Sequence, residues 1–232
     1  MVGISSFSGF RIKGNSLFAL PKKPTKKIEF IGNSITCGYG NEGTKPTDKF
    51  RGSTENNYMA YGAITSRNLN AQYTAVCYSG IGVYRNYGGN RENTMPVIYD
   101  RIIPSIDNKK WNFKNYVPDV IVVDLGTNDF YVKPDSSLFV SAYENFIKLV
   151  RQKNPGTPIF CVLGPMMSGN GWKSIQQYIS AMVIRFNKTD KNIHYFTLTP
   201  CQGSGSDFHP SVAQQITAAT ELTNHLKSKM GW

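Results

Sequence analysis

From Lys27 onward, short apolar runs alternate with longer stretches of helical period. Lys27 to Ile31, Tyr73 to Tyr78, Val120 to Leu125, Pro158 to Leu163 and Ile193 to Leu198 are brief and apolar, as buried strands are. Asn57 to Leu69, Ser136 to Lys153, Trp172 to Phe186 and Pro210 to Lys229 read as helices. In the second of these, Phe139, Tyr143, Phe146, Ile147 and Val150 recur on one face. In the last, the expected buried face carries Val212, Ile216, Ala219, Leu222, Leu226 and Met230. Five strands separated by helices predict an α/β domain, with a parallel sheet, right-handed crossovers and helices on both faces. Ligands of such sheets bind beyond the carboxyl ends of the strands, so those ends are where chemistry is sought.

Residues 1–26 stand outside the alternation. Phe7, Phe10, Ile12, Leu17 and Phe18 suggest strand material packed on the outside of the domain. The basic run Pro21 to Lys27 reads as a linker into the first strand. A length of 232 residues fits one domain. A hydrophobic fraction of 40% with 18% charged residues excludes a disordered chain. No window holds the roughly 20 apolar residues of a membrane span, so no membrane partner is expected. The start, Met1 to Phe10, lacks the charged opening and apolar core of a secretory signal. The net charge of +11 bears on solubility and on attraction to acidic polymers. It forms no basic stripe and accompanies no known module, so nucleic acid is not an expected partner. Cys37, Cys77, Cys161 and Cys201 lack the close spacing of zinc or redox sites. Cys77 and Cys161 fall in apolar strands, where a thiol is a small hydrophobe.

The first strand ends in Gly32-Asn33-Ser34-Ile35-Thr36. A serine directly after a strand, opening a helical turn, exposes its hydroxyl and aims its own N–H where an oxyanion would form. The same serine is also what an ordinary helix N-cap looks like. Thr36 stands where the α/β-hydrolase elbow has its second glycine, so that motif is excluded. The second strand ends in Ser79-Gly80-Ile81-Gly82, which suits a plain turn or a close backbone approach. The third ends in Gly126-Thr127-Asn128-Asp129. There an Asn amide either donates to an oxyanion or shapes an Asx turn. Of three histidines, His194 opens a strand and His225 lies on the last helix. His209 sits in the loop before Pro210, within reach of the first strand's end if it is not simply a surface side chain.

These blocks, each at a predicted strand end and in this order, resemble those of the SGNH (GDSL-like) hydrolase superfamily. The resemblance implies a three-layer α/β/α, flavodoxin-like fold on a five-stranded parallel sheet. It also implies Ser34 as nucleophile, His209 as general base, and the Ser34 amide, Gly82 and Asn128 as oxyanion-hole donors, with Gly80 the neighbouring alternative to Gly82. A narrower likeness runs through IEFIGNSITCGYG (28–40), TENNYMAYG (54–62), YSGIGVYRNY (78–87) and LGTNDF (125–130). These stretches are similar to carbohydrate esterase family 2, whose members deacetylate plant cell-wall polysaccharides. The likeness implies an acetylated carbohydrate as substrate, no metal or organic cofactor, and an extracellular place of work. It assigns residues 27–232 to the hydrolase. Residues 1–26 become an extension and linker, the β-sandwich that usually precedes the hydrolase being either absent or reduced to its last strand.

Two positions depart from the pattern. Asn33 stands where the family has Asp, keeping the acceptor oxygen without the charge. Ser206 stands where the superfamily has the third triad member, three residues before the histidine. Either Asp207 bends back to His209, or a backbone carbonyl orients the imidazole in a Ser–His dyad. Tyr84, Tyr87, Phe130 and Phe208 are candidates to stack on a sugar or to pack in the core. An SGNH lipase or thioesterase, and a carbohydrate-binding module, are the competing readings.

Overall fold

The structure, a computed structural model, describes residues 7–14, 18–131, 135–166 and 169–232, without the side chains of residues 107 and 108. Strand β1 (Lys26–Gly32) runs into a single turn, α1 (Ser34–Cys37), then α2 (Tyr61–Asn68) and β2 (Ala71–Cys77). A short α3 (Met95–Ile98) precedes an antiparallel hairpin, β3 (Arg101–Ile103) and β4 (Ile106–Lys110), which the sequence pattern did not suggest. Then come β5 (Val120–Asp124), α4 (Ser136–Lys153), β6 (Ile159–Leu163), α5 (Gly169–Phe186), β7 (Ile193–Thr197) and α6 (Val212–Met230).

The five long strands form one parallel sheet in the order β2-β1-β5-β6-β7. Gly32 at the end of β1 pairs with Cys77 on one side and Asp124 on the other. The winding reverses between β1 and β5, so the end of β1 lies at the crevice where such sheets bind ligands. The central strands β1, β5 and β6 are largely apolar on both faces because helices cover both, as parallel sheets require, whereas the edge strands β2 and β7 are half-buried. Ile28, Phe30, Val120, Val122, Phe160 and Val162 pack under α2 and α6. Ile31, Ile121, Val123, Ile159, Cys161 and Leu163 pack under α3, α4 and α5. Cys161 is fully buried, and burial pushes its thiol up to about 12. The other three cysteines are half-buried, and all four are free thiols.

Three expectations change. The helix expected over Asn57 to Leu69 is two pieces, a 3₁₀ turn Asn57–Met59 and then α2, because Ala60 between them is extended. The Asn56 side chain closes the first piece by accepting from the Met59 amide. On α6 the buried face is turned: Ile216 is 44% exposed and Gln215 is 1% exposed. Gln215 is tolerated inside because both ends of its amide are paired. Its Oε1 accepts from the Tyr61 amide at 2.9 Å, and its Nε2 donates to the Ile35 carbonyl at 3.2 Å. One side chain thus ties α6 to α2 and to the nucleophile turn α1. Residues 7–14 and 18–25 contain no strand before β1, and Phe7, Phe10, Ile12 and Phe18 are exposed. A short apolar segment without a partner strand cannot join a ladder. Leu17 lies outside the described residues.

Gln215→Ala is expected to destabilise the fold by about 1–3 kcal/mol, the cost of leaving buried backbone groups unpaired. Chemical denaturation measures it. A change near zero would mean that water or a local shift replaces the bridge.

Candidate active site

Asn33 and Ser34 make the turn from strand to helix. Asn33 is extended and buried, and its Oδ1 accepts from the Ile35 amide at 3.0 Å, capping α1. The departure from Asp therefore leaves the capping acceptor in place. Gly32 must be glycine, since a Cβ there would run into the Thr36 side chain. Ser34 is the first helical residue, and its amide donates to no protein group among the described residues.

His209 is brought to Ser34 by backbone bonds between two loops. Ser206 N donates to Gly40 O, Asp207 N to Asp48 O and Phe208 N to Pro46 O, at 2.8 to 3.1 Å. The loop after α1 thereby holds the loop before α6. Asp207 and Phe208 both sit in the left-handed region, at φ 49° and 59°, which costs energy for non-glycine residues. The bonds to residues 40–48 hold them there. This conformation directs the Asp207 carbonyl to His209 Nδ1 at 3.1 Å, while His209 Nε2 lies 2.9 Å from Ser34 Oγ. A carbonyl only accepts, so Nδ1 carries the proton and Nε2 is free to accept from the serine hydroxyl. The Tyr39 ring packs against the imidazole at 4.3 Å and stacks on Phe50 at 4.1 Å. Burial lowers the His209 pKa, with Asp207 opposing in part, which favours the neutral ring.

Asp207 was a candidate for a third triad member, and its carboxylate does not take that place. It accepts instead from the Phe50 amide at 2.9 Å, Tyr39 Oη at 3.1 Å and Lys49 Nζ at 3.1 Å. Burial would raise its pKa, but these three donors more than offset that and hold the carboxyl below its usual range. The left-handed backbone puts the carbonyl on the histidine side and the carboxylate on the Lys49 side. Ser206 does not substitute, because its buried hydroxyl lies against Gly43.

Asn128, 8% exposed, donates one amide hydrogen to the Ile81 carbonyl at 2.8 Å, which fixes the amide and leaves the second hydrogen. The Gly82 amide, expected as an oxyanion donor, is already spent on Asn86 Oδ1 at 3.1 Å. Gly82 is buried, whereas Gly80 is half-exposed and its amide donates to no protein group among the described residues. Of these two glycine amides, that of Gly80 is therefore the unengaged one. A cavity of about 450 Å³ adjoins it, lined in part by Tyr78, Gly80, Asn86, Tyr87 and Glu92.

The aromatic candidates divide. Phe130 packs edge-on against Phe139 at 4.9 Å and belongs to the core. Tyr84 is half-buried, with its hydroxyl inside and Arg91 over its ring. Tyr87 and Phe208 are 56% and 51% exposed. Tyr87 is joined by Tyr131, ring centroids 4.1 Å apart. Tyr131 and Tyr39 were not singled out from sequence, although Tyr39 lies between two glycines in the stretch quoted above. His194 and His225 stack on Phe160 and Phe196. No three His, Cys, Asp or Glu side chains converge as a metal site among the described residues.

The GDSL-like Lipase/Acylhydrolase family matches residues 30–215. The cellulase/esterase CelE of Acetivibrio thermocellus is 43% identical over the whole of this chain, which spans 29% of that protein. An acetylxylan esterase/glucomannan deacetylase of Cellvibrio japonicus is 28% identical over 95% of this chain and 62% of its own length. A solved family two carbohydrate esterase from Clostridium thermocellum, in complex with cellohexaose, superposes with a TM-score of 0.90 at 42% identity. That match covers 94% of this chain and 68% of the solved one. The chain spans under two thirds of the length of the curated relatives it matches. The chain belongs to the GDSL-like hydrolases and, among them, to carbohydrate esterase family 2.

Proposed function

We propose that the chain is a serine esterase that removes O-acetyl groups from plant cell-wall carbohydrate, acetylated xylan or glucomannan, through an acyl-enzyme on Ser34. The observation that carries this reading is the 2.9 Å approach of His209 Nε2 to Ser34 Oγ beside two unused amide donors. The acetyl-carbohydrate part draws on the relatives, which are named acetylxylan esterase/glucomannan deacetylase and family two carbohydrate esterase. A cell-wall substrate also places the working enzyme outside the cell.

His209 Nε2 takes the Ser34 proton as Oγ attacks the acetyl carbonyl carbon. The amides of Ser34 and Gly80 and the free hydrogen of Asn128 hold the resulting oxyanion. The sugar oxygen leaves with the proton from Nε2, and the acetyl group stays on Oγ. Water then attacks, again deprotonated by His209, and acetate departs. The Asp207 carbonyl keeps Nδ1 protonated throughout, and the nearby carboxylate favours the imidazolium electrostatically. Tyr87, Tyr131 and Phe208 offer exposed rings on which a sugar stacks.

Ser34→Ala is expected to be folded and inactive, and a serine-reactive phosphonate is expected to label Ser34 in the wild type. Labelling elsewhere would move the nucleophile. Asp207→Ala is expected to cost far less in kcat than the ~10⁴ of a triad aspartate. His209→Ala is expected to be nearly inactive. The acid limb of wild-type kcat/KM should lie below pH 6.5, because burial favours the neutral base. Equal, near-complete losses in both folded variants would show that the carboxylate supports the imidazole after all. Acetyl esters of sugars are expected to be cleaved and octanoyl esters to be poor substrates. Faster turnover of octanoate would favour a lipase or thioesterase.

A further inference from the structure

Asp129 takes no part in the reaction above, yet it is fully buried and its carboxylate is bonded on both oxygens. Oδ1 accepts from the amides of Tyr84 at 2.7 Å and Arg85 at 3.0 Å, and Oδ2 accepts from Val83 at 3.1 Å. Arg85 Nε returns a bond to the Asp129 carbonyl at 2.9 Å. Burial pushes this carboxyl up to about 6, against the pull of the three amides. Gly82 completes the arrangement. A Cβ there would meet Asp129 Oδ2 at 2.7 Å and the Arg85 carbonyl closer still. Gly82 is thus glycine for space: it lets the loop close around the carboxylate.

We propose that Asp129 is a positioning residue that sets the geometry of the oxyanion hole by clamping the loop at residues 80–86 onto the turn that carries Asn128. The proposal rests on the acyl-transfer reading. Each clamped piece supplies one donor: Gly80 N comes from the loop and Asn128 Nδ2 from the turn. The Asn128 amide is itself aimed by the Ile81 carbonyl, one residue from Gly82. Without the carboxylate, three N–H groups lose their acceptor, and the loop must move to find others. That movement carries the Gly80 amide and the Ile81 carbonyl with it. Oxyanion stabilisation depends on donors fixed where charge develops, so the loss falls on the transition state and leaves ground-state binding alone.

The test measures kcat and KM on 4-nitrophenyl acetate for the wild type, Ser34→Ala, Asp129→Ala, Asp129→Asn and Gly82→Ala, with circular dichroism for folding. Asp129→Ala is expected to lose about 10²-fold in kcat, the scale of one oxyanion donor, with KM nearly unchanged. Asp129→Asn is expected to recover part of the loss. Its remaining oxygen serves the Tyr84 and Arg85 amides, while its NH₂ faces the Val83 amide. Gly82→Ala is expected to repeat the kcat loss with the carboxylate still present, because its Cβ crowds Asp129 Oδ2 and the Arg85 carbonyl and forces the loop off the clamp. Inhibition by methylboronic acid, which forms a tetrahedral adduct on a serine, should weaken in step with kcat. A folded Asp129→Ala with wild-type kcat, or with its loss in KM, would overturn the clamp. If Asp129→Ala does not fold, Asp129→Asn and Gly82→Ala decide by the same split. An inactive wild type would overturn the esterase reading itself, which separates the two failures.

Discussion

A neutral imidazole must be held by its far nitrogen if its near nitrogen is to take a proton from serine. Here a main-chain carbonyl does the holding, Asp207 O at 3.1 Å from His209 Nδ1. A carbonyl can be aimed only by its backbone, so the demand passes to the loop. Two consecutive residues accept left-handed conformations, and hydrogen bonds from the loop after α1 keep them there. The Asp207 carboxylate is one of the anchors, bound to Phe50, Tyr39 and Lys49. The negative charge stays near the imidazole without touching it, so this aspartate contributes through its carbonyl and its anchoring.

The sheet supplies the rest of the geometry. Parallel strands in the order β2-β1-β5-β6-β7 put the ends of β2, β1 and β5 side by side. Three loops of unrelated sequence therefore converge: the Gly80 loop, the Ser34 turn and the Asn128 turn. Each is fixed by a local device. Asn33 caps the Ser34 turn, Asp129 gathers the Gly80 loop, and the Ile81 carbonyl aims Asn128. Gln215 adds a tie from α6 to α1, so the helix that follows His209 is registered against the helix that begins at Ser34.

The alternation of apolar runs was enough for the parallel sheet: β5 and β6 are buried throughout, and the half-buried edge strands β2 and β7 still show as short runs between helical stretches. The helix α4 was legible over its full length, since its apolar residues keep strict period and Asp135 caps it. Periodicity failed where hydrogen bonding decides burial: Gln215 is inside and Ile216 outside because a paired amide costs less than a residue count suggests. The N-terminal apolar residues were read as a strand because composition says nothing about whether a partner strand exists. At the site, Ser34, Asn128 and His209 were legible because a hydroxyl, an amide and an imidazole occur in that order in the loops that follow strands. Gly80 and Gly82 could not be separated by type, only by which amide is already engaged. The role of the Asp207 carbonyl was open, since main-chain direction follows from φ and not from residue identity.

The protonation of His209 tests the dyad most directly. Nitrogen-15 NMR of histidine-labelled protein above the imidazole pKa, with His209 assigned by its loss in His209→Ala, distinguishes the two tautomers. A carbonyl-held base requires a protonated Nδ1 and an unprotonated Nε2. A protonated Nε2 in the neutral ring would leave nothing to accept the Ser34 proton and would contradict the carbonyl-oriented dyad.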